Sequence, residues 1–199
     1  MHLFTSRLLL RPVDAADVDL LAALDADAEV MRFVSGGVPT PTARVADWVI
    51  PRMQLQQQEY GTGMWLAFDA HTMAFVGWVQ MRTPRHSGAL ELELSYRLRR
   101  ETWGHGLARE AASALIAAIF TSTPTTRIFA GTDVDHHASR RVLEALGMRL
   151  AADTDAAALT RRDACLEYEI LRSVWAVGRG RGAAVSATAP PTSRSGMTA

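Results

Sequence analysis

The run Tyr96-Arg97-Leu98-Arg99-Arg100-Glu101-Thr102-Trp103-Gly104-His105-Gly106-Leu107-Ala108-Arg109-Glu110-Ala111 ends a strand-like segment, crosses a short loop and enters a helical pattern. Glycines at alternate positions let the backbone take positive φ and approach a bulky anion closely. The helix behind them aims unpaired N–H groups and its positive end at the same place. This spacing predicts a seat for a phosphorylated ligand, although a bare strand-to-helix turn has the same local pattern. A dinucleotide fingerprint does not fit, because the third glycine position holds Arg109 and the loop lies mid-chain. A Walker loop does not fit either, since no lysine follows the glycines.

Other reactive side chains are sparse. Glu91-Leu92-Glu93-Leu94-Ser95-Tyr96 alternates, so Glu91, Glu93 and Ser95 share one face of a strand. That face is either the floor of a cleft or a solvated surface. Adjacent His136 and His137 point apart, and no third ligand stands out, so no metal is expected. The single cysteine, Cys165, excludes an internal disulfide and a cysteine-cluster zinc site; it lies in a strand-like run and reads as a small core residue. Ser139 lacks the Gly-x-Ser-x-Gly elbow of a hydrolase nucleophile.

The elements that must position these residues follow from periodicity and punctuation. Ser6 to Arg11 reads as a first strand, stopped by Pro12. Asp14 can cap a helix to about Asp25, with Val18, Leu21 and Leu24 on one face. Ser35 to Pro39 reads as a loop, and Thr40-Pro41 starts a second helix that ends at Gly61-Thr62-Gly63. Strands at Met64–Phe68, Met73–Met81 and Ala89–Leu98 form an antiparallel meander. A helix from Leu107 to about Phe120 places Leu107, Ala111, Leu115 and Ile119 on one stripe. A strand at Arg127–Thr132, a helix Ala138–Leu146 closed by Gly147, and strands Met148–Leu150 and Cys165–Ser173 complete the series. Trp48, Trp65 and Trp78 read as core, and Tyr96 as packing beside the loop. The strand before the glycine loop and the one after the long helix form a β-α-β unit and should run parallel. The domain should span residues 1–176, with 177–199 a disordered tail of Gly, Arg, Ala, Ser, Thr and Pro.

At 199 residues the chain suits one domain. Its 21 basic residues are all arginine, which removes any Schiff-base lysine, and they balance 21 acids. Charge therefore gives no reason to expect nucleic acid or an anionic membrane as partner. No charged start with a long apolar run occurs, so a cytoplasmic protein is expected.

The ordered pieces resemble the GNAT N-acetyltransferase superfamily, and within it the branch of the ribosomal-protein N-terminal alanine acetyltransferases. They are Thr5-Ser6-Arg7-Leu8-Leu9-Leu10-Arg11-Pro12, Phe75-Val76-Gly77-Trp78, Glu93-Leu94-Ser95-Tyr96-Arg97-Leu98, Trp103-Gly104-His105-Gly106-Leu107-Ala108 with Glu110-Ala111, and Ala138 through Met148. The likeness runs from Thr5 to about Trp175. It implies an α/β fold: a mixed twisted sheet of about seven strands with four main helices, its central parallel pair splayed for acetyl-CoA. Acetyl-CoA is the implied cosubstrate, with no metal and no acyl-enzyme.

On this resemblance the pyrophosphate lies on amides of Trp103, Gly104, His105, Gly106, Leu107 and Ala108. A backbone N–H near Leu98 holds the thioester carbonyl oxygen, and the pantetheine arm lies between the parallel strands. Two positions depart from the family pattern. Glu101 stands where the loop usually opens with Arg or Gln, so Arg99 or Arg100 would serve the phosphates. His136 stands where an Asn usually contacts pantetheine. Glu93 is the implied base or substrate-orienting carboxylate, and Ser139 the implied proton donor to, or hydrogen-bonding partner of, the sulfur; Tyr168 is a second donor candidate. The acceptor is a primary amine, of a protein N-terminus or of an amino acid, polyamine or aminoglycoside, and the protein a monomer or homodimer. A degenerate acyl-CoA-binding module without turnover is the alternative from another class.

Overall fold

In the computed structural model, residues 1–84, 90–151 and 165–179 are described. They form one eight-stranded sheet in the order β1-β2-β3-β4-β5-β6-β8-β7. The strands are β1 (Leu3–Phe4), β2 (Leu8–Pro12), β3 (Gly63–Asp69), β4 (Phe75–Arg82), β5 (Glu91–Leu98), β6 (Arg127–Asp133), β7 (Arg149–Leu150) and β8 (Cys165–Leu171). The count exceeds the expected seven because Leu3 and Phe4 pair back onto Leu10 and Leu9.

The centre of the sheet decides the function. β5 and β6 run parallel, as expected of a β-α-β unit, but they pair over only three residues: Glu91 with Arg127, Leu92 with Ile128 and Glu93 with Phe129. Beyond Glu93 each strand keeps its outer neighbour and not the other. β5 stays on β4 as far as Leu98, and β6 stays on β8 as far as Asp133. The two strands therefore splay, and a gap opens towards their carboxyl ends, where open sheets bind ligands.

Helices cover both faces. On one face α5 (Leu107–Ser122) buries Ala111, Ala112, Leu115, Ile116, Ile119 and Phe120 against β-strand residues such as Val79, Leu94 and Ile128. Two alanines at adjacent positions let this helix lie close to the sheet. Leu115 is fully buried, so its truncation to alanine would cost about 3 kcal/mol. α6 (His137–Ala145) packs beside α5 through Leu143. On the other face α1 (Val18–Asp25), α2 (Ala28–Ser35) and α4 (Ile50–Tyr60) form a second core with Leu66, Phe68 and Trp78. The turn before α1 is held by a capping box: Asp14 accepts from Ala16 N–H and Asp17 accepts from Asp14 N–H.

Several expectations need correction. α2 is an additional helix, capped by Asp27 accepting from Glu29 N–H at 2.9 Å and ended by a left-handed Gly36. The helix expected from Thr40-Pro41 starts at Thr42 (α3, Thr42–Arg44), with no side-chain cap. It passes through a π turn, Val45–Val49, before α4. Pro51 explains the turn: inside a regular helix its ring would meet the carbonyl four residues back, and the wider turn relieves this. Trp65 and Trp78 are core, but Trp48 is exposed between the guanidinium groups of Arg44 and Arg52. Cys165 is exposed rather than core, because Leu166, Tyr168 and Ile170 take the inward positions of β8. That strand ends at Leu171, and α7 (Arg172–Arg179) takes up Ser173 and runs past the boundary drawn at residue 176. The remainder of the expected tail, 180–199, and Ala89 of the expected third meander strand lie outside the described residues. With α2 and α7, six helices of eight or more residues are present among the described residues, against four expected. Among them no helix is long and apolar enough to cross a membrane.

Candidate active site

The glycine loop leaves β5 through a single 3-10 turn, Arg100–Thr102. Gly104 and Gly106 have φ of 79° and 75°, values only glycine adopts at little cost. A Cβ on Gly104 would meet nothing within 4 Å, so the loop offers open space rather than packing. No side chain caps the first turn of α5, where Gly106 is the N-cap. The N–H groups of that turn are thus left for a ligand, at the positive end of a 16-residue helix. The Trp103 indole N–H donates to Leu98 C=O at 2.9 Å and ties the loop to the end of the strand.

A clamp from the N-terminal segment holds the loop from behind. The Glu110 carboxylate accepts from Thr5 Oγ1 (2.5 Å), Ser6 Oγ (3.0 Å), Arg7 N–H (2.9 Å) and Arg7 Nε (2.7 Å). The Arg7 guanidinium also donates to His105 C=O at 2.9 Å, inside the glycine loop. Burial pushes the Glu110 pKa up, but the hydrogen bonds from Thr5, Arg7 and Ser6 outweigh it and the net shift is downward. No sequence spacing marks this clamp, since its partners stand about a hundred residues apart.

The two arginines expected to meet phosphate are engaged elsewhere. Arg99 pairs with Glu101, and Arg100 Nε lies 3.4 Å from Asp27. Both remain substantially exposed. Arg109, in the first turn of α5, is exposed and makes no ion pair among the described residues. A cation at a helix N-terminus is unfavourable unless an anion joins it.

Along the gap, Arg99 N–H donates to Val76 C=O on the β4 side at 2.9 Å. Amide directions alternate along an antiparallel strand, so the Leu98 N–H points to the opposite edge, the one β6 has left. Tyr96 lies on β5 beyond the last β5–β6 pair. Its hydroxyl is 3.0 Å from Ser139 Oγ and 3.2 Å from Ser139 C=O, in the first turn of α6. Burial drives the Tyr96 pKa up to about 12, against a smaller opposing effect of the Ser139 hydrogen bond. Ser139 thus meets β5 beyond the last β5–β6 pair, with Tyr96 as its partner.

Other candidates are placed differently. His136 stacks on Phe33 of α2 with ring centroids 4.2 Å apart. Burial lowers its pKa against the attraction of Asp133. Beside this stack, Arg32, Phe33, Ser35, Asp133 and Asp135 line a groove of about 430 Å³. Glu93, the last paired residue before the splay, accepts from Arg82 through both oxygens, at 2.9 and 2.8 Å. Glu91 shares its face as expected, and there Arg127 reaches Glu91, Glu167 and Glu169 at 3.1, 2.5 and 2.5 Å. Tyr168 is buried in the core, with its hydroxyl 3.0 Å from Glu144 Oε1 and 3.3 Å from Arg140 Nε.

Comparison with known proteins agrees with this arrangement. The profile of the acetyltransferase (GNAT) domain family matches residues 7–149. The uncharacterized protein YkkB of Bacillus subtilis is 31% identical over 147 residues, 73% of this chain and 84% of its own length. The FsC-acetyl coenzyme A-N(2)-transacetylase of Aspergillus fumigatus is 27% identical over 155 residues, 73% of this chain but only 64% of the relative. Among solved structures, the ribosomal L7/L12 α-N-protein acetyltransferase RimL, in complex with coenzyme A, superposes with a TM-score of 0.70 at 17% identity, covering 87% of this chain and 99% of that one. The splayed parallel pair, the open glycine loop and the matched family profile lead to one conclusion: the chain belongs to the GNAT acetyltransferase family.

Proposed function

We propose that this enzyme transfers the acetyl group of acetyl-CoA directly to the α-amine of a protein N-terminus. The observation that carries the donor half is the uncapped start of α5 behind an open Gly104, continuous with the gap between β5 and β6. The amides from Gly104 to Ala108 hold the pyrophosphate, the Trp103 N–H being engaged with Arg100 C=O at 3.1 Å, and Arg109 supplies the charge that Arg99 and Arg100, paired with carboxylates, do not supply unaided. The Leu98 N–H holds the carbonyl oxygen as charge develops on it. Ser139 donates a hydrogen bond to the departing sulfur. Tyr168, its hydroxyl engaged with Glu144 and Arg140, has no part in this reading.

Glu93 orients the incoming ammonium and takes its proton through water, displacing one of the bonds from Arg82. The demand on it is mild. An α-amine with a pKa near 8 is roughly a quarter neutral at pH 7.5. RimL is named as an α-N-protein acetyltransferase, which supports a protein N-terminus, and a cytoplasmic setting goes with it. The groove beside Asp133 and Asp135 favours the second reading, a small cationic amine.

The test is thiol release from acetyl-CoA with a panel of acceptors: peptides beginning with Ala, Ser or Met, free amino acids, polyamines and an aminoglycoside. Turnover confined to peptides with a free α-amine, and abolished by blocking it, is the expected result. Turnover confined to polyamines or the aminoglycoside would replace the acceptor, and failure of every amine would overturn the enzymatic reading of this chain.

A further inference from the structure

We propose that Tyr96 is a positioning residue that turns the Ser139 hydroxyl proton towards the coenzyme sulfur; this rests on the reading of Ser139 given above. Each hydroxyl carries one proton and can both give and accept a hydrogen bond. Among the described residues Ser139 Oγ meets only the Tyr96 hydroxyl, 3.0 Å away. A serine in the first turn of a helix commonly bonds its own backbone, and Ser139 does not. The Tyr96 proton has two acceptors there, Ser139 C=O at 3.2 Å and Ser139 Oγ at 3.0 Å; when it goes to Oγ, the serine proton has no partner among the described residues and is free to turn to the sulfur. Without the phenol, Ser139 is free to rotate and spend its proton elsewhere.

The chemistry fits a hydrogen bond better than a proton transfer. As the amine nitrogen bonds to the acetyl carbon, the carbon–sulfur bond breaks and its electron pair goes to sulfur. The excess amine proton leaves through water on the Glu93 side, and the thiolate later takes a proton from solvent. Ser139 and Tyr96 keep theirs throughout. With its pKa at about 12, the phenol is a weaker acid than an ordinary thiol of about 8.5 by more than three powers of ten. Proton loss from Tyr96 would be uphill, whereas hydrogen bonding to a developing thiolate is not.

The experiment compares wild type, Tyr96→Phe, Ser139→Ala and the double variant by calorimetry with CoA at about pH 7 and about pH 9, either side of the thiol's ordinary pKa. Acetyl-CoA, which has no thiol to ionise, is the control, and no acceptor is needed. Wild type should bind CoA about tenfold more tightly at the higher pH, relative to acetyl-CoA. Each single variant should lose that gain, measured against its own affinity for acetyl-CoA, and the double variant should lose no more than Ser139→Ala alone. With an acceptor in hand, Tyr96→Phe should lower kcat about tenfold at unchanged KM for acetyl-CoA. If Ser139→Ala loses the gain and Tyr96→Phe keeps it, the positioning role falls while the reading of Ser139 stands. If Ser139→Ala keeps the gain, both fall. Additive losses in the double variant would mean that Tyr96 acts independently of Ser139 and would also overturn the proposal.

Discussion

Replacing Glu110 by alanine tests whether the N-terminal segment sets the geometry of the glycine loop. The substitution removes four hydrogen bonds, to Thr5, Ser6 and two groups of Arg7, and an ion pair of 2.6 Å to the Arg7 guanidinium. Summed at about 1 kcal/mol each they would give about 4 kcal/mol. The Arg7 side chain is 47% exposed, however, and water takes over part of the loss. A net cost of about 2 kcal/mol remains, or roughly 4–8 °C in Tm for a chain of this length. The functional consequence is separate. Arg7 also anchors His105 C=O, so a released Arg7 frees the loop between the two glycines. Acetyl-CoA affinity should fall about tenfold, about 1.4 kcal/mol, with kcat within about twofold, because nothing at the reacting carbon has changed. Thermal unfolding and steady-state kinetics read the two effects independently. A lowered Tm with unchanged KM for acetyl-CoA would show that the clamp serves stability alone and would refute the link to the loop. The charge itself has a pH signature. The native pKa of Glu110 lies below its unfolded value, so its stabilisation is present above about pH 4.3 and is lost as pH falls through the lowered native pKa. Glu110→Gln should flatten that part of the acid unfolding curve.

Two further predictions follow from the sheet and from α6. Arg127→Leu leaves Glu91, Glu167 and Glu169 without the cation they share across β5, β6 and β8, and should cost about 2 kcal/mol at low ionic strength. Part of that loss should return in about 1 M salt, where like-charge repulsion is screened; denaturant melts at two salt concentrations check it, and an unchanged deficit would point to packing. His136 should titrate below its ordinary value near 6.5, since burial lowers it. Its contribution to stability is then present above the unfolded pKa and lost as pH falls through the native one. Imidazole resonances followed by NMR give the value directly, and Phe33→Ala, which removes the stacked ring, should move it back towards 6.5.

The outline of the fold was legible because it rests on local rules. Alternation marks the strands, the gap between Leu98 and Leu107 can hold only a loop, and one strand-helix-strand unit forces β5 and β6 parallel. α2 was missed even though its signals are present: Asp27 followed by Glu29 at the start and Gly36-Gly37 at the end. The glycine pair marks a loop between strand and helix, but the state of its charges is not legible. Arg99 and Glu101 look like opponents in sequence, and they are partners. Glu93 stands at the head of the gap, yet nothing in its spacing indicates that Arg82 holds both its oxygens. The hydrogen-bond partners of Glu110 and Tyr96 are illegible for the same reason. They lie 103 and 43 residues away, and pairings of that range are made by topology, not by periodicity.

The donor site on the glycine loop is the claim on which the rest depends, and calorimetric titration of the full chain with acetyl-CoA, with dephospho-CoA alongside, tests it most directly. One site of micromolar affinity, about −8 kcal/mol, is the expected result. Absence of binding up to millimolar acetyl-CoA would contradict it and would leave a GNAT fold whose helix α5 no longer receives a phosphate.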